Sequence, residues 1–159
     1  MRVEFKPAAL PEDLRRLRAF DRRVFPQADL FDTAYWRQCE SWWMLVDGVP
    51  AGCCAFERDV DVTRDGERER KGSAYVATTG ILPKFSGRGL GRLMKAWQMA
   101  WAAQNGFQRV VGVTRRSNKA MIRLNKSSGF RAVRTIPHYY AEPDEAGVVM
   151  ELKLRQQAQ

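Results

Sequence analysis

The residues best placed to do chemistry are the alternating glycines of Ser86-Gly87-Arg88-Gly89-Leu90-Gly91, followed by Arg92 and Lys95. They lie between 74–82, a run of β-branched and small residues that ends at Pro83, and a helical pattern that begins at Leu90. A helix start exposes backbone N–H groups that lack intrahelical partners, and its macrodipole adds roughly half a positive charge. Glycines let that backbone approach a ligand without interference from Cβ atoms. The segment therefore reads as an anion cradle suited to a pyrophosphate, with Arg88, Arg92 and Lys95 adding charge close by. Two other glycine-loop patterns fail on spacing. A P-loop needs GxxxxGK followed by Ser or Thr, and GxGxxG counted from Gly87 meets Arg92 where the third glycine belongs.

Other reactive side chains are sparse. Cys39, Cys53 and Cys54 are odd in number and show no CxxC spacing, so they read as reduced, packed thiols; no histidine neighbours the pair to activate it as an acyl carrier. His138 is the only histidine, and without a Cys/His cluster no metal site is expected.

The elements that must position these groups follow from periodicity. Residues 2–6 alternate as a strand, and Pro11 opens a helix carrying Leu14, Leu17, Phe20 and Val24, which Pro26 ends. Asp32 or Thr33 caps a short helix bearing Tyr35 and Trp36, and a strand at 42–46 turns at Asp47-Gly48 into a partner over 50–62. The charged stretch 64–72 reads as a solvated turn. The strand 74–82 and the glycine turn lead into a long helix whose face carries Leu90, Met94, Trp97 and Trp101 and which stops at Asn105-Gly106. A strand at 108–114, a helix at about 118–128, and strands near 130–137 and 146–154 complete the chain. This order predicts an α/β (α+β) fold, a mixed sheet flanked by helices, because a strand-helix-strand pass usually makes its strands parallel.

With 159 residues and 45% apolar side chains, the chain is expected to form one domain spanning 1–159, large enough for a core without disulfide or metal staples. No apolar run approaches the ~18–20 residues that cross a bilayer, and the start lacks a signal-peptide stretch, so a cytoplasmic location without membrane association is expected. Twenty-seven Lys and Arg against eighteen Asp and Glu leave a charge of +9, which favours anionic partners. Nucleic acid, an acidic protein surface and a phosphorylated cofactor all satisfy that charge, and composition alone does not separate them.

The motifs do. VATTGILPKFSGRGLGRLM resembles the signature of the GNAT superfamily of acetyl-CoA-dependent N-acetyltransferases, whose pattern is Gln or Arg, two residues, Gly, one residue, Gly or Ala. NKAMIRLNKSSGF (118–130) is similar to the family's NxxAxxLYxKxGF helix, with Asn118, Leu124, Gly129 and Phe130 in register. The likeness covers roughly 40–155. PHYYAEPDEAGVVMELKL (137–154) further resembles the C-terminal hairpin of protein Nα-acetyltransferases, including the ribosomal-protein alanine N-acetyltransferase type.

The resemblance implies a mostly antiparallel mixed sheet of about seven strands with about four helices, and acetyl-CoA as the cofactor. It places the pantetheine arm on Thr79, Gly80, Ile81 and Leu82, and the pyrophosphate on the backbone of Gly87, Arg88, Gly89, Leu90, Gly91 and Arg92. It gives Asn118 a cofactor contact and the N–H of Ile81 the acetyl carbonyl. Arg115, Arg116 and Lys119 are expected near the adenosine 3′-phosphate rather than on nucleic acid. Tyr139 and Tyr140 fall at the acceptor, with His138 beside them as an available proton relay. Three departures stand out. The family's frequent leaving-group tyrosine is Asn125, which supplies no proton; the ribosomal-type glutamate base is Val113; and the glutamate base of histone-type relatives is Tyr75, which would orient a water.

That chemistry favours an α-amine. With a pKa of about 8 it is roughly 10% neutral at pH 7, whereas a lysine at about 10.4 is neutral about once in 2,500, a gap of about 3.4 kcal/mol. The expected acceptor is a peptide or protein N-terminus, attacked directly in a ternary complex, with Tyr75, Tyr139 and Asn125 at the reacting centre. A small amine is the alternative, for which Asp21, Asp29, Asp32 and Glu40 would supply an acidic pocket; a non-catalytic acyl-CoA sensor is the other. A monomer or homodimer is expected.

Overall fold

In the computed structural model, which describes residues 1–155, the apolar periodicities resolve into seven strands and four helices. Their order is β1 (Val3–Pro7), α1 (Leu14–Val24), α2 (Thr33–Gln38), β2 (Glu40–Val46), β3 (Val49–Thr63), β4 (Gly66–Ile81), α3 (Leu90–Gln104), β5 (Arg109–Arg115), α4 (Lys119–Ser127), β6 (Arg131–Tyr140) and β7 (Glu145–Lys153). Short 3-10 turns occupy Gln27–Asp29 and Pro83–Phe85. One sheet has the order β1-β2-β3-β4-β5-β7-β6. Its β4–β5 ladder is parallel, as the intervening helix requires, while β1–β2, β2–β3, β5–β7 and β6–β7 are antiparallel. This is the mixed, mostly antiparallel α/β architecture expected. Among the described residues no helix is long and apolar enough to cross a membrane.

The chain forms two compact units, Met1–Glu57 with Ala77–Leu90, and Arg58–Val76 with the chain from Gly91 onward. In the first, Leu17 and Phe20 of α1 and Trp36 of α2 are buried with Trp43 and Met44 of β2 and Cys53 and Phe56 of β3. Asp32 starts α2 as expected, its Oδ1 accepting from the Tyr35 N–H at 2.8 Å. In the second unit Met94 and Trp101 of α3, Val110 and Val111 of β5, Phe130, and Val149 and Met150 of β7 are buried.

Two expectations need correction. The charged run 64–72 is not a solvated turn: 66–71 already belong to β4, and the turn between β3 and β4 is only 64–65. Alternating charge masked a strand whose partner, β3, is continuous to Thr63. The tyrosine pair, expected in a hairpin after a strand ending at 137, lies within β6, where a register shift between Ile136 and Tyr140 accommodates it.

The β3–β4 arm, 58–72, is bent. Asp59 and Gly72 both take positive φ, and the Asp59 side chain accepts from the Gly72 N–H at 2.9 Å. Beyond that bend Asp61 is fully buried, with Arg109 of β5 at 2.9 Å, while Arg134 of β6 donates to the Val62 carbonyl at 2.6 Å. The arm thus lies across one face of β5, β7 and β6. Alternation puts Ser73, Tyr75, Arg109, Val111, Val113 and Glu151 on that face, since Ser73 pairs Arg109, Tyr75 pairs Val111, and Val111 pairs Glu151.

Candidate active site

The glycine loop is built on three buried anchors, Leu82, Phe85 and Leu90, with 83–84 and 86–89 exposed between them. The Leu82 N–H donates to the Ala51 carbonyl at 2.8 Å, and Ser86 Oγ donates to the Pro83 carbonyl at 2.7 Å, closing the turn. Gly87 and Gly89 adopt φ of +77° and +76°, the left-handed region that a Cβ penalises, and nothing lies within 4 Å of where either Cβ would stand. Alternating left-handed residues turn successive N–H groups toward one concavity, and the space over this backbone is open. Lys84 and Arg88 both place their cationic ends 5.3 Å from the Phe85 ring, keeping two positive charges at the loop. The loop fits a diphosphate.

The cofactor strand continues past its parallel partner. Register pairs run from Ser73↔Arg109 to Val76↔Gly112, and 77–81 extend beyond them to the loop. Phe20 and Val24 of α1 and Phe25 crowd Gly80 so closely that a Cβ there would stand 3.0–3.3 Å from them. Thr79, Gly80, Ile81 and Leu82 are therefore held in one backbone path by the first unit's own core.

Lys95 is not a charge at the loop. It is buried, with its ammonium 5.3 Å from the Phe130 ring. Gly91 packs beneath Leu124, whose Cδ2 would meet a Cβ at 3.1 Å. Asn118 caps α4, its Oδ1 accepting from the Met121 N–H at 3.1 Å. Asn125 is buried; its Nδ2 lies 3.5 Å from Met150 Sδ, and its Oδ1 has no partner among the described residues. A buried acceptor without a donor costs about 1–3 kcal/mol, so this amide is poised for a hydrogen-bonding group that the protein itself does not supply.

The three tyrosines do converge. Tyr75 and Tyr139 share a side-chain hydrogen bond. Burial is the main influence on their pKa values and pushes both phenols up, Tyr75 well above its ordinary value. The Tyr139 ring packs edge-on to Tyr140 with centroids 4.9 Å apart. It also covers Gly147, where a Cβ would stand 3.0 Å from the ring and 2.8 Å from Val113 Cγ1. Val113 thus serves as an apolar wall.

Sequence reasoning missed two groups here. Glu67, dismissed with the charged run, acts on both Tyr75 and Tyr139 and raises the pKa of each. An unbent strand would hold residues 67 and 75 about 26 Å apart, so only the bend of the arm brings this carboxylate near, and nothing local in the sequence signals that. Arg115, expected at a phosphate, instead clamps the β6–β7 turn. It donates to the carbonyls of Ala141 and Pro143 at 2.9 Å, pairs with Glu145 at 3.1 Å, and stacks 4.6 Å from the Tyr140 ring. Glu145 also accepts from the Ser117 N–H at 2.6 Å; the Ser117 hydroxyl above all, with Arg115 and that N–H, holds its pKa below the usual range. His138 takes positive φ and is largely exposed, with its Nδ1 2.7 Å from Asp144.

Of Asp21, Asp29, Asp32 and Glu40, two come together at one cavity. Asp21 and Asp32 line a cavity of about 330 Å³ together with Arg18, Arg22, Gln27, Leu30 and Phe31. Asp21 is buried and accepts from the Phe31 N–H at 2.9 Å; burial pushes its carboxyl up to about 6. Cys53, also buried, has its thiol pushed well up by desolvation, which keeps it an inert packing group.

A seven-stranded mixed sheet thus carries an open glycine loop between β4 and the long helix α3. Residues 11–130 match the model of the acetyltransferase (GNAT) family, and the chain belongs to that family. It is an acetyl-CoA-dependent N-acetyltransferase. The fold is similar to that of the ribosomal-protein-S18-alanine N-acetyltransferase from Escherichia coli, at 16% identity and a TM-score of 0.80 over 99% of this chain and 97% of that one. It is also similar to a chain of the NatC complex bound to Gag peptide and CoA, at 15% identity and a TM-score of 0.77 over 98% and 100%. The yncA protein from Salmonella typhimurium, solved with its cofactor acetyl-CoA, aligns at 20% identity and a TM-score of 0.74 over 99% and 96%. No curated protein matches the sequence.

Proposed function

We propose that the acceptor is the α-amine of a protein or peptide N-terminus, and that the chain is of the protein Nα-acetyltransferase type. The observation that carries this reading is the Tyr75–Tyr139 hydrogen bond, on a face where Val113 offers no base and Glu67 supplies negative charge. An α-amine needs little help to lose its proton near neutral pH, so a site that orients it without a strong adjacent base suffices. Tyr139, the less buried of the hydrogen-bonded pair, offers its hydroxyl to the backbone of the incoming chain, and Tyr140, gripped by Arg115, forms the second wall. Glu67 draws the ammonium form in.

Acetyl-CoA, when bound, supplies an activated thioester. The protein's part is to hold it: the N–H groups of Gly87 to Arg92 on the diphosphate, the backbone of 79–82 along the pantetheine, and the orphaned Asn125 Oδ1 as an acceptor for one of its donors. Asn118 contributes through the α4 start that it caps. The small-amine reading loses its main support because the carboxylates of α1 and α2 are spent on Phe31 and Tyr35 amides and share their cavity with Arg18 and Arg22.

The test is thiol release from acetyl-CoA with three acceptor sets: peptides with free N-termini, the same peptides N-blocked but containing lysine, and polyamines and aminoglycosides. Turnover confined to free N-termini is the expected result. Preference for blocked lysine peptides or for small amines would contradict it.

A further inference from the structure

We propose that the β3–β4 arm carries a docking site for acidic residues of the acceptor chain, formed by Arg68, Arg70 and Arg134 around the buried carboxylate of Asp61. The proposal rests on the reading of the acceptor as a polypeptide N-terminus and names the class of sequence that follows its α-amine.

Charge count is the first observation. Asp61 Oδ2 lies 2.9 Å from Arg109 Nη2, 3.1 Å from Arg70 Nη1 and 3.8 Å from Arg68 Nη2, while its Oδ1 lies 3.7 Å from Arg134 Nη1 and accepts from the Val62 N–H at 2.8 Å. Glu151 adds one carboxylate, 3.2 Å from Arg109 Nη1. Two carboxylates thus contact four guanidinium groups. Arg109, Asp61 and Glu151 are buried and largely satisfy one another. The side chains of Arg68, Arg70 and Arg134 remain 58%, 44% and 34% exposed. Each guanidinium carries five N–H donors, far more than one shared carboxylate accepts. An external oxyanion at their open edge has donors to take up.

Position is the second. Ser73, opposite Arg109, is two residues from Tyr75 on the same face, a spacing of about 7 Å along a strand. Its Oγ accepts from Arg109 Nε at 3.4 Å, and Arg109 shares Asp61 with Arg68, Arg70 and Arg134, so a peptide whose α-amine reaches Tyr139 can run its following residues toward that cluster. The surface is bipolar: Glu67 beside the tyrosines suits an ammonium group, and the arginines suit carboxylates further along the same chain. A continuous polyanion fits less well, because the cluster is only three exposed guanidinium groups wide and Glu67 and Glu69 sit on the other face of the same strand. Separate carboxylates of a polypeptide match so small a cluster.

The test uses the full chain and two labelled peptides that share their first two residues, one with Asp and Glu at the next three positions and one with Gln there. Both are N-acetylated, so anisotropy reads docking apart from turnover. The acidic peptide is expected to bind about tenfold more tightly at low salt, an advantage that two partly exposed ion pairs can supply and that raised ionic strength removes. The double variant Arg68→Gln, Arg70→Gln is expected to abolish the preference with CoA binding unchanged, even though losing the Arg70 contact to the buried Asp61 lowers its melting temperature. Equal binding of the two peptides, or a preference that persists in the variant, overturns the proposal. So does a single-stranded oligonucleotide of equal charge that binds more tightly than the acidic peptide. If the acidic peptide docks as expected but its free-amine form is not acetylated, the docking site stands and the N-terminal acceptor reading falls.

Discussion

A half-buried phenol hydrogen-bonded to a buried one is the member of the pair that a substrate can reach, and Tyr139 stands in that relation to Tyr75. Removing its hydroxyl should therefore damage the transition state more than the ground state. Tyr139→Phe is expected to lower kcat by about 10–100-fold, with the KM for acetyl-CoA unchanged, in steady-state assays with an N-terminal peptide. A drop confined to cofactor KM would contradict it. Asp21 offers a second test, on stability. Its carboxyl, raised to about 6 by burial, holds a proton more tightly folded than unfolded. The stability this confers is full below about pH 4 and is lost as pH rises through about 6. Asp21→Asn keeps an acceptor for the Phe31 N–H, so it should gain about 1–2 kcal/mol at pH 7 and flatten the profile between pH 4 and 6. At this scale the sequence was legible where chemistry follows from residue type, as with the inert cysteines. It was opaque where a partner arrives from another element: Asp144 beside His138, Glu67 beside the tyrosines.

Elements were read well wherever burial followed a period. The faces of α1 and β2, the Asp32 cap and the parallel β4–β5 pass all appear as expected, because each is specified by local spacing. The β3–β4 arm was misread because its strands alternate charges rather than apolar and polar residues and 64–71 stay exposed, leaving only Asp61 and Val62 buried against a tertiary ion network. Burial itself pushes the Asp61 carboxyl up, but the Val62 N–H and the Arg70 and Arg109 guanidinium groups outweigh that and hold it low. The β6–β7 pair makes its own demand on side-chain size. Gly147→Ala would place a methyl group 2.8 Å from Val113 and 3.0 Å from the Tyr139 ring. That overpacking should cost about 1–3 kcal/mol in denaturant melts and displace Tyr139, lowering kcat more than it weakens CoA binding. A variant of wild-type stability and activity would show that the ring is free to move.

On the scale of the whole molecule, a charge of +9 suits the two anions proposed, a diphosphate at the glycine loop and an acidic acceptor at the arm. Both place positive charge where backbone or buried carboxylates already fix the geometry. Family and donor were legible in the sequence because the loop and the 118–130 helix are local motifs, and the acceptor was less so because its walls come from β4, β6 and the arm. The most direct measurement is calorimetry on the full chain with CoA and with pantetheine, which lacks the diphosphate, repeated on Gly87→Ala and Gly89→Ala. CoA should bind at least tenfold more tightly than pantetheine, and each substitution, straining a residue at positive φ by about 1 kcal/mol or more, should erode that difference. Equal affinity for the two ligands, or no heat with CoA, would contradict a loop whose amides grip a diphosphate.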